Sequence, residues 1–275
     1  MNTLEFVNTD VSGVVVIVLV DYVRQHRSWG WMRLVAGPSA LKQVPGLLFA
    51  KVMGSGHAGG FSIRPSPSHQ GLVCRFRNTD SALKFLHGPH VSAMREKARE
   101  SWCGLLAVTS ARGAWDQAKW PLTDEVSRKF GAVLSGNKPR PLAVLTRASI
   151  VPSKTMSFWR YAPAAQADLQ NSKGCLLSMG LGEIPLVRQC TFSLWQDTAS
   201  MLQYAHQGAH QVASAAAYKH QFFSESLFVR MQVLQMSGVW LGRRFDPVPE
   251  VGTDAQWPRQ RQQTQEPPVR ELSHV

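Results

Sequence analysis

Apolar and polar positions along the chain fall into the same sequence of strand-like and helix-like segments twice over. The first half opens on the unbroken apolar run 14–20, and the second on 142–150. Both suit a buried strand and are far too short to cross a bilayer. Each run leads into a Trp-bearing, helix-compatible segment, around 28–43 and 153–169. A second strand then ends in Met-Gly-x-Gly, Met53-Gly54-Ser55-Gly56 and Met179-Gly180-Leu181-Gly182. A third strand runs into Asp80 in one half and Asp197 in the other, each preceding an amphipathic helical stretch that it is placed to cap. Those stretches are interrupted by Gly88-Pro89-His90 and Gly208-Ala209-His210, and a last strand closes on Gly-x-Trp, Gly113 to Trp115 and Gly238 to Trp240.

The order β-α-β-β-α-β is that of a ferredoxin-like unit. One such unit covers a single face of its sheet with helices and leaves the other face apolar and in need of a partner. Two tandem units cover each other, so the fold expected is α+β: tandem ferredoxin-like units forming a pseudo-dimeric α+β barrel, with Asp80 matching Asp197 and Trp115 matching Trp240. The units are read over 1–120 and 141–245. Between them lies a linker, 121–140, with the turn signal Gly136-Asn137-Lys138-Pro139. The stretch 246–275 is rich in Pro, Gln and charge and is expected to be a disordered tail.

Several motifs are discounted by context. Gly54-Ser55-Gly56-His57-Ala58-Gly59 matches the dinucleotide pattern, but Pro65 and Pro67 bar the helix that would hold a pyrophosphate. The repeat of its first glycines at Gly180 and Gly182 points instead to a tight turn shared by both halves. Ser39 to Lys42 and Ser81 to Lys84 match S-x-x-K without partner motifs.

Composition adds three points. The four cysteines, Cys74, Cys103, Cys175 and Cys190, form no C-x-x-C pair and read as free thiols in a reducing compartment. The first ten residues carry Glu5 and Asp10 and no basic cluster, so they do not look like a signal peptide; a cytoplasmic protein able to touch the inner membrane surface is expected. The net charge is +12, and the last thirty residues hold five acids against three arginines, which leaves +14 on the rest. That excess suits nucleic acid, anionic lipid headgroups or an acidic electron carrier, or is simply a solvated basic surface.

The candidate chemistry lies in the second half. His206 and His210 are four apart, a spacing that on one helix suits one metal ion. His210 opens an Ala-rich stretch whose small side chains leave room for a flat, bulky group such as a haem with an axial imidazole; a packed structural histidine is the alternative. Arg147 interrupts an apolar strand and needs an anionic partner. That partner is either Glu183 or Asp197, or a carboxylate of a bound cofactor.

The run 142–150 with Phe158-Trp159, the stretch from Gly180 to Pro185, Gln189 with Thr191-Phe192-Ser193 and Trp195, and 222–230 resemble the spheroidene monooxygenase family. Gly54-Ser55-Gly56 and Thr109 to Trp115 match in the first half. The resemblance spans about 14–245 of this sequence. It implies a monooxygenase that converts an acyclic carotenoid to a ketone with dioxygen, electrons from reduced ferredoxin and a haem, with no nucleic-acid partner. No cysteine-ligand signature of the P450 type is present, so the iron ligand is expected to be a histidine, with His210 and its Ala-rich helix the candidate and Arg147 offering a cation to a propionate. A carrier of haem or another hydrophobic ligand on the same barrel is the rival reading.

Overall fold

The structure, a computed structural model, describes residues 13–122 and 141–245. The turn signal in the linker and the tail 246–275 lie outside the described residues. The first half runs β1 (Val14–Tyr22), α1 (Arg27–Ala36), β2 (Leu47–Gly56), β3 (Pro65–Phe76), α2 (Thr79–Leu86), α3 (Pro89–Glu96) and β4 (Ala98–Gly113). The second runs β5 (Leu142–Ile150), α4 (Thr155–Asn171), β6 (Cys175–Ile184), β7 (Arg188–Trp195), α5 (Thr198–His206), α6 (Gly208–Lys219) and β8 (Phe223–Trp240), with a short β9 (Arg243–Phe245).

All pairings are antiparallel, in the order β4-β1-β3-β2-β6-β7-β5-β8, and β8 returns to β4. The α+β barrel expected from the duplication is therefore present, as eight strands closed on themselves. The halves do more than face each other: their edge strands bond, at β2–β6 and along β4–β8, where Ser101 pairs Val239 and Gly113 pairs Leu227. Closure satisfies the edge amides that two stacked sheets would leave open.

Alternation places every second side chain inside the barrel. Ile17, Leu19, Trp102 and Leu106 from the first half interdigitate there with Leu145, Phe192, Val229 and Met231 from the second. The two halves thus share one core, and side chains fill it.

The Met-Gly-x-Gly repeat is not a tight turn. Gly54 and Gly56 lie in β2, Gly180 and Gly182 in β6, and Gly54 bonds Gly182 across the closing seam. A Cβ on Gly180 would lie 2.9 Å from the carbonyl carbon of Gly60, and Ser55 Oγ donates to Gly180 O at 2.5 Å. The glycines are there because two backbones meet closely.

The helix cap in the first half also differs from expectation. Asn78, not Asp80, is the N-cap of α2: its backbone is extended (φ −148°, ψ 167°) and its side chain accepts from Ser81 N at 2.9 Å. Asp80 already lies inside the first turn. Asp197 does cap α5, accepting from Ser200 N at 2.8 Å, so its counterpart is Asn78. Asn78→Ala and Asp197→Ala should each cost about 1 kcal/mol in urea unfolding. A larger loss from Asp80→Ala than from Asn78→Ala would return the cap to Asp80.

Gly113 and Gly238 do correspond. Both have positive φ (95° and 121°) and both back onto a strand carbonyl of the other half, Ser226 O and Ser101 O. The turns after them are matched as well. Glu225 accepts from Asp116 N and Gln117 N at 3.1 and 2.8 Å, and Glu100 accepts from Leu241 N and Gly242 N, both at 2.8 Å.

Candidate functional site

The outer sheet faces of the two halves are covered very differently. On β1, Val14, Val16, Val18 and Val20 are wholly buried beneath the helices of the first half. The corresponding positions on β5 are Leu142, Val144, Thr146 and Ala148, and only Leu142 is buried. Beside them on β8, Phe228 is 40% exposed and Arg230 is exposed. The cause is helix placement. In the first half α3 packs on β4 and β1, whereas its counterpart α6 packs chiefly along α4. The second outer core reduces to Leu142, Leu169, Trp195 and Met201 with a few half-buried neighbours.

His210 sits at the margin of that face, in the first turn of α6. Its ring lies 4.5 Å from that of Tyr204, which in turn lies 5.3 Å from Trp195. Its backbone N donates to Asp168 Oδ2 at 3.4 Å, and Nδ1 is 3.3 Å from Ala205 O. A carbonyl only accepts, so Nδ1 carries the proton and Nε2 holds the free lone pair. Burial lowers the His210 pKa against a smaller opposing pull from the Ala205 carbonyl and Asp168. The ring is therefore neutral at pH 7, the form that binds a metal.

His206 does not join it. It ends α5, is exposed, and is separated from α6 by an extended Gln207 (φ −133°, ψ 168°), so the i, i+4 geometry is broken. Among the described residues no three His, Cys, Asp or Glu side chains converge as a metal site. All four thiols are free. Burial pushes the Cys103 and Cys175 thiols up to about 11 and those of Cys74 and Cys190 higher still.

Arg147 lies on the other side of the sheet from His210's helix. Ala143 and Leu145 point into the barrel, and Arg147 continues that series, with none of its side chain exposed. It donates to Glu225, to Glu183 at 3.3 Å and to Asp116 at 3.5 Å, and lies 5.7 Å from the ring centre of Trp115. Lys51 bonds Asp116 at 2.5 Å and Glu183 at 2.8 Å, and Arg188 completes the cluster at 3.4 Å from Asp116. Three cations thus meet three carboxylates across one end of the barrel, with Glu183 and not Asp197 among the partners. Of the two sequence candidates, His210 packs against Tyr204 beside the small outer cluster and Arg147 closes the barrel; the structure does not bring them together. Sequence reasoning missed Lys51, Asp116 and Glu225. The available signal was the repeat, since Glu225 follows Glu100 at the 125-residue offset that relates Gly238 to Gly113.

The cation that does lie on His210's side of the sheet is Arg230. It pairs in register with Val144, alternates with the barrel residues Val229 and Met231, and forms no ion pair among the described residues.

No family model matches the chain. A protein of Rubrivivax gelatinosus named spheroidene monooxygenase is 42% identical over 233 residues, covering 84% of this chain and 86% of that one. A protein of the same name from Cereibacter sphaeroides is 32% identical, covering 83% and 68%. Among solved structures, two aldoxime dehydratases superpose with a TM-score of 0.51 at 8% and 10% identity. One spans 80% of this chain and 79% of its own, the other 80% and 81%. That likeness is one of fold.

Proposed function

The chain belongs to the spheroidene monooxygenase family, and on that footing we propose that it oxidises an acyclic carotenoid to a ketocarotenoid at a haem held by His210. The observation that supports this reading most is the neutral, oriented imidazole beside the only outer sheet face left thinly covered among the described residues. A haem bound there would supply activation of dioxygen with electrons from reduced ferredoxin. The residues present fit such a group. Ala205 O fixes the His210 tautomer, Tyr204 and Trp195 hold the ring, and Arg230 offers a cation to a carboxylate on the face where Phe228 and Val144 offer apolar surface. The barrel interior is filled by side chains, which directs a long polyene to the outer face as well.

The chemistry on the substrate is two successive oxidations of one allylic carbon. Each takes one dioxygen, two electrons and two protons, inserts one oxygen atom and releases one water. The geminal diol then loses water to give the ketone. The chain's part is to orient the polyene and keep bulk water from the reacting carbon. No helix among the described residues is long and apolar enough to cross a membrane; on this reading the chain takes the polyene at the membrane surface.

Co-expression of the chain in a host making acyclic carotenoids, with pigment analysis by mass, should yield the ketone. Protein purified from a haem-supplied culture should carry a Soret band that shifts with carbon monoxide. A colourless, iron-free protein and unchanged pigment would favour a hydrophobic-ligand carrier and overturn the proposal.

A further inference from the structure

The closing seam between β2 and β6 carries a face that nothing in the reaction accounts for. Helix α1 packs on β2 and β3, and α4 packs on β6, so the two helices flank the seam and look out of the same side of the barrel. On α1 the residues turned to solvent are Trp31, Met32 and Val35, the last 86% exposed. On α4, Met156 is 77% exposed. The connection between β2 and β3 packs against α4. Phe61 N donates to Gln166 of α4, the Phe61 and Trp159 rings lie 6.4 Å apart, and Ile63 beyond them is 67% exposed. Large apolar side chains normally turn inward on such helices; here they form a ridge in water.

The charge on this side is one-signed. From Tyr22 to Thr79 there is not one Asp or Glu, against seven Lys and Arg besides Lys51, which belongs to the ion cluster at the barrel end. From Pro141 to Ala167, which includes the first three turns of α4, there is again no acid, and besides the buried Arg147 there are Lys154 and Arg160. Among the described residues Arg24, Lys42, Arg64 and Arg160 form no ion pair. Exposed basic side chains without acidic partners thus accompany the apolar ridge.

We propose that this seam face docks on a membrane surface rich in anionic lipid, with Trp31, Met32, Val35, Ile63 and Met156 entering the headgroup layer and the surrounding cations pairing with lipid phosphates. Apolar insertion and electrostatic attraction act together in such binding, and neither a neutral bilayer nor a purely polar partner satisfies both. An acidic protein would use the cations but has no need of five exposed apolar side chains.

The test is flotation of the full chain with vesicles of phosphatidylcholine alone or mixed equally with phosphatidylglycerol; it requires neither haem nor carotenoid, so it succeeds or fails independently of the proposed reaction. Binding should be confined largely to the phosphatidylglycerol vesicles and weaken with salt. Arg24→Gln, Arg64→Gln and Arg160→Gln should each lower affinity about fivefold, and about a hundredfold together. Replacing Trp31, Met32 and Val35 by Ser should remove stable flotation while circular dichroism stays unchanged. Equal binding to both vesicle types, no binding to either, or undiminished binding by the Ser variant would overturn the proposal. So would Arg variants that float like the parent yet lose ferredoxin-supported turnover, which would mark the face as a protein-docking surface.

Discussion

His210→Ala should abolish haem retention and ketone formation together while the fold survives. The side chain lies at the start of α6 against Tyr204, and its loss removes one half-buried ring from the periphery of the smallest apolar cluster. Neither the barrel core nor the cap at Asp197 touches it. The expected result is circular dichroism like the parent's, no Soret band, and unconverted pigment. Exogenous imidazole should restore part of the spectrum, since Tyr204 and Ala205 would remain to orient it. His90→Ala is the internal control. His90 occupies the matching place in the first half, where it stacks on Phe85 over a fully buried sheet face, and its loss should leave spectrum and product unchanged. Because burial holds the His210 imidazole below the ordinary histidine value of about 6.5, proton competition for Nε2 should begin only below that pH. Haem retention should therefore stay flat from pH 8 to about 6.5 and decline on further acidification. An unchanged Soret band in His210→Ala would remove His210 as the ligand and leave His206 or His220 to be tried.

The duplication made the architecture legible in the sequence, because each half cannot be stable alone and the repeated order of strands and helices leaves few ways to pair them. What it could not convey was how the halves join. The glycines at Gly54 and Gly182 read as turn residues because close backbone approach between strands 128 residues apart leaves the same local mark as a sharp bend. The cap was misplaced by two residues since Asn78, Thr79 and Asp80 are all acceptable capping types, and only the backbone at Asn78 is extended. At the candidate site, the small neighbours of His210 are legible in the sequence, whereas the thin cover of the nearby sheet face is not, because it comes from the packing of α6 along α4, a difference between two helices of similar pattern. Arg147 was rightly seen to need carboxylates. Two of its three, Asp116 and Glu225, sit in a turn and a strand end far away in sequence, where the match of Glu225 to Glu100 in the repeat is the one local signal.

Arg147→Leu should destabilise the barrel by about 1.5–3 kcal/mol, the cost of removing charge-assisted hydrogen bonds to Glu225, Glu183 and Asp116, which stay partly solvated or paired with Lys51 and Arg188. Leucine is the residue at the corresponding place in β1, Leu19, so shape and strand propensity are tolerated there and the loss isolates the charge. Burial pushes the Asp116 carboxyl up, but Lys51, Arg147 and Arg188 outweigh it and hold the pKa below the ordinary value. Burial acts on Glu225 in the same sense and is overcome by the Gln117 and Asp116 amides and by Arg147. A carboxylate depressed in the folded state adds stability above its unfolded pKa of about 4 and loses it as pH falls toward the folded value. The parent should therefore hold its stability from pH 7 to about 5 and lose it below about 4. The difference between parent and Arg147→Leu should shrink over that same acid range, because protonation neutralises the groups that the substitution strands. Adding Glu225→Gln to Arg147→Leu should recover part of the loss at pH 7, since the amide keeps an oxygen for the turn and drops the unpaired charge. Urea unfolding across pH 3–7 measures all three. If Arg147 instead held a cofactor carboxylate, Arg147→Leu would weaken haem binding and leave the unfolding midpoint of the haem-free protein within about 1 kcal/mol of the parent, and the ion-pair closure of the barrel end would be refuted.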